Sequence, residues 1–582
     1  MESVTNLIIN NEGITGKYCE NIAQRWLIGI LESNPAILSI FKDRDVKPYR
    51  DLLAWQGEFA GKYLTSAYYV YKQTSNEELK EYALSFIAKM LALQSEDGYL
   101  GCYSRETRFT GALPQTPQNI PWTWDCWAHY HISYALLLWY KETGNKEYLM
   151  AAESIAKLLI DTFYNGKKTI VSTGNAQMNL AVYHTFALLY NITKKEEYLN
   201  FAFEVEKDMS SEGAGDWLNY ALEEKDFYTC ACPRWEALHV LMGFSEMYKA
   251  TGDSKYRKAL RNTVKSILRT DVHNTGGFST KEQAIGNPYV NGVIETCCVV
   301  AFNAFVLEEY RLSCDIDLVD FLERSHYNAT LGSISPSGVW CTYDTPMEGE
   351  KYASFHFNDF QSRPASPMLN CCSVNFGRGA SQISDWAVMQ DEQGIYLNVF
   401  EKAVYRWENS ELRVESNYPY ENKVHFYFNG QTNKKLFVRI PLWSKNTLFV
   451  VNNKEIPVQS GSYVEYEPGQ DVYVEFDYSP RFEKGGDDYA DRYSVYVGAI
   501  LLAYDLTENT AFALNNGGVG VTTEERLPEM ILPKLTFEDF KEYNVQINNE
   551  MLVYTLKNGV RLVDFCHAGM TGGIYKTWLF VE

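Results

Sequence analysis

The chain of 582 residues contains no uninterrupted apolar run of about 18 residues or more, so it offers no candidate for a membrane-spanning helix. Positive charge is also in short supply: 53 Lys and Arg stand against 74 Asp and Glu, leaving a net charge of −21 and a pI near 5.0. That balance argues against nucleic acid and anionic membrane as partners, because both require a basic face that releases counterions or meets lipid phosphates. A small partner that is not a polyanion is expected instead. The first residues, Met-Glu-Ser-Val-Thr-Asn-Leu-Ile-Ile, lack the basic start and apolar core of a signal peptide, and a cytoplasmic location is expected. The 12 cysteines lack the pattern of a secreted disulfide framework: two adjacent pairs and scattered singles resemble ligands and buried thiols. Histidine is scarce, with nine in all, so each one near a pocket carries added weight.

What is present describes a globular protein with 46% hydrophobic and 22% charged residues. Its length implies roughly two to four domains. Four related phrases punctuate the first half: Tyr71-Lys-Gln-Thr-Ser-Asn, Tyr140-Lys-Glu-Thr-Gly-Asn, Tyr190-Asn-Ile-Thr-Lys-Lys and Tyr248-Lys-Ala-Thr-Gly-Asp, with a weaker fifth at Tyr310-Arg-Leu-Ser-Cys-Asp. Apolar residues at helical spacing flank each phrase. The central residues end one helix in a conformation with φ > 0 and cap the next, so each phrase reads as the tip of a helical hairpin. Hairpins recurring at roughly 50 to 70 residues build either an open solenoid or a closed ring. The long Gly- and Pro-containing insertions, Asp97 to Pro121 and Asp271 to Asn291, favour a ring whose loops form a pocket at one end. Residues 12 to about 385 therefore read as an (α/α) toroid.

From Gly394 the hydrophobic period changes to two. Tyr396-Leu-Asn-Val-Phe, Leu412-Arg-Val-Glu-Ser, Lys423-Val-His-Phe-Tyr-Phe, Lys435-Leu-Phe-Val-Arg-Ile and Val472-Tyr-Val-Glu-Phe read as short strands of a β-sandwich. The expected organisation is a multidomain α-then-β chain: a catalytic (α/α) barrel over 1–390, a β-sandwich over 391–485, and a second β-rich region over 486–582 that packs back on the barrel.

The sharpest chemical signal comes in two halves, Glu295-Thr296-Cys297-Cys298 and Asn370-Cys371-Cys372-Ser373. Glu295, Cys297, Cys371 and Cys372 offer a carboxylate and three thiols, a donor set suited to Zn2+. The separation of the halves is too long for a zinc-finger loop, which places any metal within a folded domain. Thiols on zinc are held as thiolates and can act as nucleophiles. Buried cysteines or a closed structural zinc site fit the same residues. The aromatic content, 15% with 42 Tyr and 13 Trp, suits stacking on sugar rings and suits a large packed toroid equally, with Trp122, Trp124 and Trp127 expected at the rim. Cys230-Ala-Cys232, without a matching pair elsewhere, reads as buried thiols.

Taken together, Asp97-Gly-Tyr-Leu, Trp124-Asp-Cys-Trp-Ala-His-Tyr-His131, Gly276-Gly-Phe with Glu282, Glu295-Thr-Cys, Tyr327-Asn-Ala, and Asn370-Cys-Cys with Asn375 and Arg378 carry a resemblance over the whole chain. The chain resembles the β-L-arabinofuranosidase-type glycoside hydrolases, family 127 and its relatives. The resemblance implies an (α/α)6 barrel bearing zinc held by Glu295, Cys297, Cys371 and Cys372, with Cys371 the nucleophile of a retaining double displacement and Glu282 the acid/base. It also places His131 at a substrate-contacting position, and His129, His239, Trp127 and Tyr327 are further candidates for sugar contact. Three segments depart from the family pattern: the short stretch Gln283 to Ile294, Ser373-Val374-Asn375 after the cysteine pair, and Asn175-Ala-Gln-Met-Asn179 where the family has His-Gln-Glu.

The expectation is therefore a zinc-dependent retaining exo-glycosidase. It would release a terminal β-L-arabinofuranose or related unit from a small oligosaccharide or glycoconjugate. A non-catalytic sugar-binding scaffold with structural zinc, and a lyase or epimerase on the same toroid, are the alternatives. The sugar, linkage and aglycone are left open; so is the oligomeric state, with which a homodimer is compatible.

Overall fold

The computed structural model describes residues 1–50, 53–111, 123–164, 167–292, 294–352, 369–430, 432–510, 532–548 and 550–582. Six helices form an inner ring: Phe59–Thr74, Asp125–Thr143, Val182–Thr193, Gly243–Thr251 with the short Ala237–Leu241 before it, Thr296–Ser313 and Cys371–Ser381. The last packs against the first and closes the ring. An outer helix follows each of the first five, Glu77–Leu91, Lys146–Phe163, Glu196–Asp208, Ser254–Thr270 and Ile316–Ser325, while Ile14–Ile22 covers the closure. The inner helices are buried on nearly all sides, whereas an outer helix such as Ser254–Thr270 buries one stripe, including Tyr256, Leu260, Val264 and Ile267.

The hairpin tips explain the regularity. The residue after each inner helix is left-handed: Ser75, Gly144, Lys194, Gly252 and Cys314 have φ between 55° and 72°. Asn76, Asn145, Asp253 and Asp315 then cap the next helix by accepting its first free N–H groups. Because each hairpin has this polarity, all six inner helices begin at the same end of the ring.

Beyond Asp385 the chain is β. A five-stranded sheet and a seven-stranded sheet account for residues up to Glu475, the latter running Lys454–Glu455, Leu448–Val451, Asp471–Glu475, Lys423–Asn429, Ser410–Ser416, Ala403–Trp407 and Ile8–Asn11. The chain's own start belongs here and not to the barrel as the 1–390 division has it: Glu2–Ser3 pairs with Val388–Gln390, and Ile8–Asn11 with Ala403–Trp407. The third β region likewise begins before 486, since Arg481–Lys484 pairs with Tyr493–Val497.

Both β regions are bolted to the helices. Arg439, fully buried on the first, is ion-paired to Asp320 and Glu323 of the outer helix Ile316–Ser325. On the second, Tyr496 donates to the carbonyl of Asn274 and Asn274 donates to Ser494 and Thr577, which anchors the start of the loop that carries Glu282. No helix among the described residues is long and apolar enough to cross a membrane.

Candidate active site

Every inner helix contributes its beginning to one cavity of about 280 Å³. Glu58 precedes the first helix, Trp124 and Trp127 open the second, Asn175, Gln177 and Met178 precede the third, Arg234, Trp235 and Glu236 the fourth, Glu295 the fifth, and Cys371 begins the sixth. Trp55, Glu282 and Tyr343 complete the wall. Each helix N-terminus carries about half a positive charge, so convergent N-termini favour anionic groups. That field explains how one small space holds several carboxylates and a set of thiols.

The two halves of the cysteine motif meet on the cavity floor. Glu295 is the N-cap of Thr296–Ser313, which places Cys297 in that helix's first turn. Asn370 caps Cys371–Ser381 through a reciprocal capping box: its side chain accepts from Ser373 N at 2.8 Å, and Ser373 Oγ accepts from Asn370 N at 2.9 Å. One ligand atom each from Glu295, Cys297, Cys371 and Cys372 lies within 4.8 Å of all the others. Sulfur–sulfur distances are 3.5 Å for Cys372–Cys297 and 3.9 Å for Cys371–Cys372; Glu295 Oε1 is 3.5 Å from Cys371 Sγ and 3.4 Å from Cys372 Sγ. A tetrahedral zinc with ordinary bond lengths spaces its ligands by about 3.8 Å for S···S and about 3.6 Å for S···O. The donor set and its spacing fit zinc. Cys298 falls outside the set, its sulfur 3.5 Å from the other carboxylate oxygen of Glu295.

The electrostatics point the same way. Burial and the adjacent Cys371 push Glu295 up, and burial pushes Cys372 up. Cys297 alone is drawn down, to about 6: burial opposes its ionisation, but hydrogen bonds from Cys371 and Cys372 and the charge of Lys62 outweigh it. Four buried acids this close do not all ionise unaided, an obstacle that a bound dication would remove.

Around the cluster lie groups that sequence reasoning did not single out. Lys62, 1% exposed, is 2.9 Å from Glu58 Oε1 and 3.9 Å from Cys297 Sγ. Trp127 Nε1 donates to the other oxygen of Glu58, whose carboxyl is pushed up to about 7 by burial. Tyr343 lies between the expected nucleophile and acid/base, its hydroxyl 3.9 Å from Cys371 Sγ and donating to Glu282 Oε1 at 3.1 Å. Arg234 grips Glu236 through Nε and Nη2 at 3.0 and 2.7 Å, and reaches Glu282 Oε2 at 2.5 Å.

Glu282 stands on a strained turn. Thr280 and Gln283 exchange both backbone hydrogen bonds, and the two residues between them, Lys281 and Glu282, have φ of 50° and 68°. Such hairpin turns favour Asn and Gly, and a long side chain at positive φ costs about 1 kcal/mol or more. Strain of this kind is characteristic of residues held for function. The turn is locked to the wall: Arg234 bridges Gln283, Trp235 N donates to Glu282 O at 3.3 Å, and Asp271 accepts from Ile285 N and Gly286 N.

The other expected contacts divide. Trp127 and Trp124 line the cavity; Trp122 lies outside the described residues. His131 and His239 sit behind Trp127, with ring centroids 4.4 and 5.2 Å from its own, and burial holds both neutral. His129 lies apart from the cavity wall, its ring nitrogens engaged by Leu100 N at 3.0 Å and Asp125 O at 2.7 Å, which ties down the Asp97 loop. Tyr327 also lies apart, packed on His326 and on Tyr418 at the seam with the β-sandwich. Cys230 is buried and Cys232 half-buried, and neither belongs to a metal-ligand group among the described residues. Asn175, Gln177 and Met178 occupy the wall at the segment where the sequence departs from the family pattern.

Comparison with known proteins follows this geometry. Residues 41–385 match the family model for the β-L-arabinofuranosidase GH127 catalytic domain, and residues 394–477 match that for the GH127 middle domain. No curated protein sequence matches the chain. The solved GH127 β-L-arabinofuranosidase from Geobacillus stearothermophilus T6 shares the fold with a TM-score of 0.78 at 15% identity, over 99% of this chain and 100% of that one. A GH127 β-arabinofuranosidase gives 0.75 at 17% identity, over 99% and 98%.

Proposed function

The chain belongs to the GH127 β-L-arabinofuranosidase family of glycoside hydrolases, and from that premise we propose a retaining exo-glycosidase that uses Cys371 as nucleophile and Glu282 as acid/base, with zinc as cofactor. The observation that carries the reading is the juxtaposition, on one cavity, of a Glu/Cys3 set whose ligand atoms lie within 4.8 Å of one another with a carboxylate linked to it through Tyr343.

Glu295, Cys297, Cys371 and Cys372 would hold the ion. Its chemistry here is to keep Cys371 a thiolate at neutral pH without a dedicated base. Cys371, whose sulfur alone of the three cysteines opens on the cavity, attacks the anomeric carbon of the terminal sugar and forms an S-glycosyl bond. Glu282, protonated, gives its proton to the departing glycosidic oxygen; as a carboxylate it then takes one from the water that cleaves the S-glycosyl bond. Tyr343 and Arg234 hold the two oxygens of Glu282 and so fix its approach. Trp55, Trp124, Trp127 and Trp235 supply faces for the sugar ring, and a cavity of about 280 Å³ suits one terminal unit. His131 and His239 act by backing Trp127. The wall formed by Asn175, Gln177 and Met178 would set which sugar is accepted. Twelve cysteines without a disulfide among them favour a reducing, cytoplasmic setting.

A lyase or epimerase needs a Tyr/His or His/His pair at the sugar, and no histidine lines the cavity among the described residues. A panel of aryl furanosides and pyranosides, assayed with Cys371→Ser beside the parent, tests the proposal. Turnover of one glycoside that Cys371→Ser abolishes while still binding the sugar is expected; full activity in Cys371→Ser overturns the assignment.

A further inference from the structure

Among the described residues, Lys62 is a cation within reach of both the ligand cluster and the cavity carboxylate Glu58. It lies one turn into the helix Phe59–Thr74, in the barrel interior, with its ammonium over the rings of Trp127 and Trp235 at 5.7 and 5.1 Å. A buried ammonium costs several kcal/mol unless it is compensated. The nearest explanation is Glu58, 2.9 Å away, an ion pair with side-chain exposures of 2% and 3%. That pairing does not explain why the same nitrogen is also directed at Cys297 Sγ, 3.9 Å away.

Resting on the zinc reading above, we infer that Lys62 is an outer-sphere positioning residue of the metal cluster: it offsets the surplus negative charge of four anionic ligands and marks Cys297 as the thiolate that stays on the metal. One carboxylate and three thiolates leave a divalent ion with two negative charges in excess. Lys62 removes one. The N-termini of Thr296–Ser313 and Cys371–Ser381, worth about half a charge each, offset more of it.

A second donor converges on the same sulfur. Asn375, in the helix Cys371–Ser381, donates Nδ2 to Cys297 Sγ at 3.4 Å. Hydrogen bonds from an ammonium and an amide draw charge from a thiolate, which lowers its nucleophilicity and holds its orientation. Cys297 is fully buried, and Cys371 keeps its sulfur toward the cavity. The protein thus separates a thiolate that anchors from a thiolate that reacts.

The test is zinc affinity, read by competition with a chromophoric chelator on full-length protein that has been checked for folding by its melting curve. The parent is compared with Lys62→Met, Lys62→Arg, Glu58→Gln and the double variant Lys62→Met/Glu58→Gln. The inference expects Lys62→Met to weaken zinc by about tenfold or more, as outer-sphere changes at zinc sites do. Lys62→Arg should recover part of that loss, and Glu58→Gln should leave affinity near the parent's. The double variant decides, because it removes both members of the buried pair and so leaves no unpaired Glu58 carboxylate to confound the result. If it binds zinc as weakly as expected of Lys62→Met, Lys62 serves the cluster. If it binds as tightly as the parent, Lys62 serves only Glu58 and the inference is overturned. A parent that takes up no zinc overturns the cofactor reading itself, a result distinguishable from the first.

Discussion

Two groups of buried ligand-type side chains occur among the described residues, and they differ in how they are built. Glu295, Cys297, Cys371 and Cys372 come from two helix starts far apart in the chain and open on a cavity. Asp564, Cys566 and His567 come from one short stretch in the third β region. In the second group the carboxylate is satisfied by its neighbours, while His567 Nε2 is buried without a hydrogen-bond partner among the described residues. Asp564 Oδ1 accepts from His567 N and Nδ1, Oδ2 accepts from Leu552 N, and the Lys351 ammonium donates to the carbonyls of Phe565 and Cys566. Burial opposes a charge on His567, but Asp564 and Cys566 outweigh it and raise its pKa, and Nδ1 is already engaged by Asp564 Oδ1. The first group sits at the starts of two helices and opens on a cavity; the second is held by the pairing of Asp564 with His567 and has no such opening among the described residues. Residue types alone make the two look alike, and the surrounding charge separates them.

The predictions test that contrast, the largest first. Cys371→Ser should lower turnover by about a thousandfold or more, as removal of a nucleophile does, while Asp564→Asn should leave kcat per folded molecule unchanged. Steady-state kinetics on the best aryl glycoside checks both. Glu282→Gln should cost about 10²–10⁴-fold in kcat/KM, with the smallest loss on substrates whose leaving group needs no proton.

At the second cluster the effect should appear in stability. His567→Phe should destabilise by about 3 kcal/mol or more near pH 6, because it leaves Asp564 buried without its counter-ion. The folded pKa of His567 is raised, so the pair's contribution is complete below the unfolded value near 6.5 and declines as pH rises. The cost of the substitution should therefore shrink between pH 6 and pH 9, as read by urea melts at both; a cost that grows with pH contradicts a raised pKa at His567. The smallest effect belongs to the strained turn: Lys281→Gly should raise stability by about 0.5 kcal/mol, since glycine adopts its φ of 50° without a Cβ clash.

The sequence was legible where chemistry is local. Each hairpin tip carries its own stop and cap within a few residues, so Thr-Gly-Asn and Thr-Gly-Asp marked the turns between paired helices. The two ligand pairs were legible for the same reason, as each sits whole in one helix turn. Glu58, Lys62, Arg234, Glu236 and Tyr343 were not, because each is a single residue whose meaning arises only when six helix starts converge. The Pro233-Arg234-Trp235-Glu236 run directly before a helix was the one available signal. Scarcity drew attention to His129, but its ring is occupied within the Asp97 loop. The strand Ile8–Asn11 escaped notice because its partner, Ala403–Trp407, lies in a different domain of the chain.

The central claim, that one cluster holds zinc and the other does not, is tested most directly by metal content combined with zinc-edge X-ray absorption. The account predicts one zinc per chain, bound by three sulfurs and one oxygen, and lost in Cys297→Ser but not in Asp564→Asn. A protein without zinc, or a zinc with a nitrogen ligand that survives Cys297→Ser, would contradict it.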